Sequence, residues 1–193
     1  MSNEKVLISR FKLILLMLVI LSPVVASYFL HTFNIRPDST VNYGELIDVR
    51  TLQGSATNLS DNTIFRSRQL RGQWALLTID SGECDEHCQK KLYLMRQVRL
   101  AQHTEKDRVE RVWLINDDIQ PDAEIMHQYE GTRLVLAKGR TLLEEFPAVN
   151  SQLDHIYVID PMGNLMMRYP RDPEPKKMVD DIKRLLKLSH MEH

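Results

Sequence analysis

The sequence predicts an α/β sandwich held behind one N-terminal transmembrane helix. Three observations predict it: a long uncharged run near the N-terminus, short apolar runs alternating with helix-period stretches, and turn residues between them. With 193 residues the chain has room for one ordinary domain and a short appendage. A content of 43% hydrophobic and 26% charged residues is that of a globular protein. The formal net charge of -1 lacks the basic excess that phosphate binding needs, so nucleic acid is not an expected partner.

The first element is the apolar run. Residues 13–30 (LILLMLVILSPVVASYFL) carry no charge, and Phe11, Phe33 and Ile35 extend the stretch. A helix needs about 20 apolar residues at 1.5 Å each to cross the hydrocarbon layer, so we expect a span over 13–33. Pro23 interrupts it, which membranes tolerate where nearby groups re-satisfy the backbone. Lys5, Arg10 and Lys12 precede the span, while only Arg36 closely follows it. The positive-inside bias therefore puts residues 1–12 in the cytoplasm and everything after the span outside. A cleaved signal peptide, cut near Val24-Val25-Ala26, is the competing reading; the apolar run continues through Tyr28, Phe29 and Leu30, which favours an uncleaved anchor. Either way the domain is exported, to a compartment where cysteine redox state is a variable.

Residues 34–41 (NIRPDSTV) read as a linker, 42–188 as the domain and 189–193 as a disordered tail. Trp74-Ala75-Leu76-Leu77-Thr78-Ile79 is a buried strand, followed by an Asp80-Ser81-Gly82-Glu83 loop. Residues 85–102 hold no glycine or proline, and Cys88, Leu92, Met95 and Val98 recur at helical spacing. Residues 109–115 form a second strand, and Pro121 opens a short helix through about Tyr129. A strand over 132–137 and a short helix or turn over 141–146 follow. Residues 156–159 and 165–169 make a hairpin around Asp160-Pro161-Met162-Gly163-Asn164. Pro175 starts a last helix with Met178, Ile182 and Leu185 on one stripe. This order matches a thioredoxin-like α/β sandwich. A right-handed crossover sets the first two central strands parallel, with the loop bearing Cys84 at a carboxyl end, where chemistry gathers in open sheets.

Cys84 and Cys88 are the chain's two cysteines, spaced C-x3-C at the strand–helix junction. Helix N-termini carry unpaired N–H groups and partial positive charge, and both stabilise a thiolate. Residues four apart on a helix share a face, so the sulfurs can meet. Such a pair can close as a disulfide or hold a soft metal, with Cu(I) favoured and zinc the other candidate. All of this chemistry requires the sulfurs to converge at an accessible mouth of the sheet. Sulfurs facing apart, or walled off below the surface, leave only an anchored scaffold.

The stretch LRGQWALLTIDSGECDEHCQKKL over 70–92, then Asp154-His155 and Tyr157-Val158-Ile159-Asp160-Pro161-Met162-Gly163, resembles the Sco-type copper chaperones. Those are membrane-anchored thioredoxin-fold proteins that help build the binuclear copper site of cytochrome c oxidase. The whole chain is also similar to small thioredoxin-like membrane proteins found among proteobacterial cytochrome oxidase assembly proteins, through Asn42-Tyr43-Gly44-Glu45-Leu46 and Leu92-Tyr93-Leu94-Met95-Arg96-Gln97. The resemblance implies a bacterial cytoplasmic (inner) membrane location with the domain in the periplasm. It implies Cu(I) held by Cys84, Cys88 and His155, and an oxidase subunit or assembly factor as partner. The chain departs from the Sco pattern at Asp85 and Gln89, where prolines are usual. It departs again at Gln152, the usual place of the ligating histidine. His155 stands three residues later, and in extended chain an odd shift reverses the face a side chain points to.

His87, inside the cysteine loop, could tune a thiolate or bind metal, whereas Asp85 and Glu86 raise a neighbouring thiol pKa. Met162, Met166 and Met167 read as core filling rather than as thioether ligands. The His190-Met191-Glu192-His193 tail carries ligand types but is terminal. Lys90, Lys91, Arg96 and Arg99 read as the solvated face of their helix. No G-x-S-x-G, H-E-x-x-H or phosphate-loop motif occurs. Three functions remain in view. The first is an oxidase assembly factor handling Cu(I). The second is a thiol–disulfide oxidoreductase with Cys84 attacking and Cys88 resolving. The third is a docking module braced by a structural disulfide.

Overall fold

The computed structural model describes residues 2–32 and 42–189. The chain divides into two units, 1–41 and 42–193. The linker expected over 34–41, the flanking Phe33, and residues 190–193 of the expected tail lie outside the described residues.

In the first unit, α1 spans Ser2–Thr32. Its Arg10–Phe29 stretch, with a mean hydropathy of 2.2, is long and apolar enough to cross a membrane. Pro23 has no N–H to give the Val19 carbonyl, and the Ser22 hydroxyl donates to that oxygen instead, at 2.9 Å. This is the local repair that a proline needs where no water can substitute.

The second unit contains β1 (Glu45–Thr51), β2 (Ser55–Asn58), β3 (Ile64–Arg66), β4 (Trp74–Asp80), α2 (Glu86–Leu100), β5 (Val109–Ile115), α3 (Ala123–Gln128), β6 (Thr132–Leu136), α4 (Thr141–Glu144), β7 (Ile156–Ile159), β8 (Asn164–Arg168) and α5 (Pro175–Leu188). The strands form one sheet in the order β1-β8-β7-β4-β5-β6-β2-β3. β4, β5 and β6 run parallel, and the remaining pairs are antiparallel. Every residue of β4 is buried. That explains its unbroken apolar run: a strand covered on both faces has no polar side to show.

One face of the sheet is covered by α2 and α5, which pack Leu94, Met95, Val98, Met178 and Ile182 against Leu76 and Val158. The other face packs Leu142 and Phe146, with Phe65 and Leu70, against Leu77, Val112, Leu114 and Tyr157. Neighbouring residues of β5 thus serve opposite faces. The β7–β8 hairpin closes on the Asp160 carboxylate, which accepts the N–H groups of Met162 at 2.9 Å and Asn164 at 2.8 Å. Gly163, at φ 90, supplies the left-handed residue.

Two differences from the expected elements have physical causes. Asp85 and Asp122 cap their helices, so α2 starts at Glu86 and α3 at Ala123, with Pro121 standing ahead of its helix. The strands β1, β2 and β3 join the sheet without having shown a strand pattern in the sequence.

Candidate functional site at the carboxyl end of the central strands

β4 and β5 are parallel, so the turn from Asp80 to Glu86 emerges at the carboxyl ends of both. Cys84 and Cys88 are joined there in a disulfide, with Cα atoms 5.0 Å apart. The sulfurs converge, but not through a shared helix face. The Asp85 carboxylate accepts the Cys88 N–H at 2.9 Å as the cap of α2, which leaves Cys84 outside the helix at φ 50. That left-handed residue turns the chain back so that Cys84 meets Cys88, a conformation that costs a non-glycine residue about 1 kcal/mol or more.

Access is the expectation that this closed form does not meet. Cys84 is 1% exposed and Cys88 0%. Leu92, Trp113, Ile115 and Tyr129 pack around the pair. Tyr129 donates its hydroxyl to the Gln89 carbonyl at 3.2 Å, and Gln89 donates its side-chain amide to the Cys84 carbonyl at 3.1 Å.

The turn over the disulfide is fastened on two sides. On one, the Asp117 carboxylate accepts the N–H groups of Gly82 and Ile119, each at 3.0 Å. Burial alone pushes the Asp117 pKa up, but the Ser81 hydroxyl, these two N–H groups and Lys138 together hold it below its ordinary value. Gly82 lies so close to the Ile119 carbonyl that a Cβ would fall 1.7 Å from the oxygen. On the other side, Lys91 places its Nζ 2.7 Å from Asp80 Oδ2 and 3.2 Å from the Ile79 carbonyl. Lys91 also donates to the Leu153 carbonyl. It is 1% exposed, so it does not belong to the solvated helix face as expected. Desolvation depresses its pKa against the pull of Asp80, Asp85 and Asp154.

His155 does not join the cysteines. Its ring stands edge-on to Tyr157, with centroids 5.8 Å apart, and its Nδ1 lies 2.8 Å from the Tyr169 carbonyl. Tyr157 packs with Val112 and Leu114, whereas the cysteines pack with Trp113 and Ile115 on the opposite face. Residues 152–154 form one turn of 3-10 helix rather than extended chain, so strand alternation does not relate His155 to Gln152. Gln152, at the usual histidine place, donates to the Leu143 and Phe146 carbonyls. Among the described residues no three His, Cys, Asp or Glu side chains converge as a metal-holding group. His87 is half-buried, and its Nε2 has no hydrogen-bond partner. Met167 is core as expected, but Met162 is 71% exposed at the hairpin tip.

The family described as "Transmembrane-like, thioredoxin-like, C-terminal domain" matches residues 74–189. The chain belongs to this family. The match runs from the start of β4 through α5, so this thioredoxin-like domain includes the cysteine turn and both covering helices. No curated protein sequence matches the chain. Among solved structures, Bradyrhizobium japonicum ScoI with copper bound is similar at a TM-score of 0.54 and 15% identity, over 70% of this chain and 99% of that one. Yeast Sco1 with copper bound gives a TM-score of 0.56 at 12% identity, over 80% and 95%. A putative protein disulfide isomerase from Bacteroides thetaiotaomicron gives 0.53 at 18%, over 79% and 99%. At these identities the likeness is one of fold. It joins a thioredoxin-like sheet shared with Sco structures to an N-terminal helix fit to cross a membrane.

Proposed function

We propose that this chain is a membrane-anchored, outward-facing assembly factor for a respiratory cytochrome c oxidase, working by reversible opening of its Cys84–Cys88 disulfide. The observation that carries the reading is the closed pair at the carboxyl end of β4 in a thioredoxin-like sheet; it is walled off in this form, so the reading requires the cysteine turn to open before the sulfurs react. In the reduced form a Cys84 thiolate attacks a partner's disulfide, giving a mixed disulfide and releasing one partner thiolate. Cys88 then attacks the Cys84 sulfur. The partner leaves as a dithiol, and two electrons have passed from this pair. A donor dithiol on the exported side must restore the reduced form. The excess of Lys5, Arg10 and Lys12 over Arg36 supports a cytoplasmic N-terminus and a periplasmic domain in the inner membrane.

A second reading, Cu(I) as cargo, draws on the likeness to Sco structures solved with copper bound. The residues fit it only in part. A closed disulfide offers no thiolate, and His155 belongs to the other face of the sheet, so the open pair would hold the ion as a two-sulfur site.

Both readings meet one experiment on the full-length chain in detergent. It is equilibrated across thiol redox buffers, then titrated anaerobically with Cu(I) against a chelator. We expect the pair to cycle between disulfide and dithiol. Copper retained by the dithiol adds the cargo role. A pair that never opens short of unfolding removes both readings and leaves a docking module braced by a buried disulfide, which is what the 1% and 0% exposures of Cys84 and Cys88 would then mean.

A further inference from the structure

The disulfide is buried among Leu92, Trp113, Ile115 and Tyr129, and the short turn that carries Cys84 is tied to a neighbouring loop by one side chain. Asp117 lies just beyond β5, and its Oδ1 accepts both the Gly82 N–H and the Ile119 N–H at 3.0 Å. The Gly82 N–H and the Ser81 carbonyl belong to one planar peptide unit. Ser81 in turn accepts the Glu83 N–H at 3.0 Å and gives its carbonyl to the Cys84 N–H at 3.2 Å. One carboxylate therefore reaches, in two steps, the backbone of the residue that carries the outer sulfur. The contact also needs glycine at 82, because a Cβ there would collide with the Ile119 carbonyl at 1.7 Å.

We propose that Asp117 is a positioning residue that latches the 81–84 turn shut over the disulfide, so that release of this turn from the 116–120 loop sets how readily the sulfurs react. The proposal rests on the reading that the pair opens in use. Its chemistry is local: opening breaks the Gly82 N–H bond to the Asp117 carboxylate and, as Cys84 swings out, the Gln89 amide bond to the Cys84 carbonyl, with the sheet left intact. Local openings of this kind occur far more often than global unfolding. Cys88 stays in the first turn of α2, and Cys84 moves with the 81–84 turn. The latch thus also determines which sulfur a partner meets first.

The test uses the full-length protein and a water-soluble trialkylphosphine. The phosphine attacks one sulfur, the S–S bond breaks, and water supplies the oxygen with which the phosphine leaves as its oxide. Both cysteines become thiols, and their appearance is timed with a thiol-specific dye. Asp117→Ala removes the latch directly, and Gly82→Ala forces the turn off the Ile119 carbonyl by its added methyl. Gly163→Ala is the control: at φ 90 it strains the hairpin at the other end of β4 and touches nothing at the turn. Hydrogen bonds to a charged group are strong enough that we expect reduction about tenfold faster or more in both turn variants. The control should reduce at the wild-type rate. Equal rates in wild type, Asp117→Ala and Gly82→Ala would overturn the latch, as would an equal acceleration by Gly163→Ala, which would mean that reduction goes through global unfolding. If the turn variants reduce faster but no variant exchanges with a protein disulfide, the latch stands and the thiol-exchange function falls.

Discussion

A lysine ammonium buried at the end of a strand must have its charge met on every side, and Lys91 does. It is 1% exposed, and its Nζ faces the Asp80 carboxylate and two main-chain carbonyls, those of Ile79 and Leu153. Removing one member of a buried pair leaves the other charge uncompensated, at a cost of about 3–5 kcal/mol. Lys91→Met should therefore lower stability by about that much in urea unfolding, and adding Asp80→Asn should recover a large part of it. No recovery would mean that Lys91 acts through its carbonyl contacts alone. Residue type, not spacing, misled the reading of this residue. Lys91 lies three residues beyond Cys88, on the inward side of α2, but its residue type argued for solvent more strongly than its position argued for the core. A strand ending in a buried aspartate was the missing signal. His155 shows a different limit: residues 152–154 form a 3-10 turn, so the period of an extended chain does not apply there, and the ring lies with Tyr157.

At the scale of the element, α2 depends on a cap that is also part of the cysteine site. Asp85 gives its carboxylate to the Cys88 N–H, and Gln89 bonds back to the Cys84 carbonyl. The cap makes the pair possible, since it ends the helix one residue short of Cys84 and lets that residue take φ 50. It also occupies an N–H that a reduced Cys84 thiolate could otherwise accept. Asp85→Ala should cost about 1 kcal/mol of stability, as lost caps do. It should also lower the pKa of the reduced cysteines by removing a negative charge beside them and freeing a helix N–H. Thiolate absorbance against pH, together with a urea midpoint, measures both effects; a raised thiol pKa would contradict this account of the cap. The C-x3-C spacing made the pairing legible. The cap was legible only in hindsight, because Asp at the residue after a cysteine reads equally well as a loop charge.

At the scale of the whole molecule, the central strands and covering helices were legible because each buries an apolar stripe with a clear period, while the strands at both margins were not. Six of the seven residues of β1 are exposed, β2 is four residues without a large apolar side chain, and β3 is three residues long. Burial patterns cannot announce strands that bury so little. Charge and hydrogen bonds hold β1 in place instead. The Tyr43 and Gly44 N–H groups donate to Asp181 of α5 at 3.1 and 2.8 Å. Arg168, buried on β8, grips Glu45 with two bonds of 2.8 and 2.9 Å across the ladder. The bonds from Arg168 hold the Glu45 pKa below its ordinary 4.5. A carboxylate with a depressed pKa adds stability above its unfolded value and loses it as pH falls through the folded one. The β1 edge should thus be firm at pH 6 and loosen below pH 4.5 as Glu45 protonates. Glu45 faces water, so the gain at pH 6 over Glu45→Gln should be under about 1 kcal/mol. The urea midpoints of the two proteins should differ at pH 6 and draw together on acidification below 4.5. A difference that stays constant over that range would mean that the paired charge contributes nothing to holding the edge strand, leaving the ladder to β8 and the Asp181 bonds to α5 as its fastening.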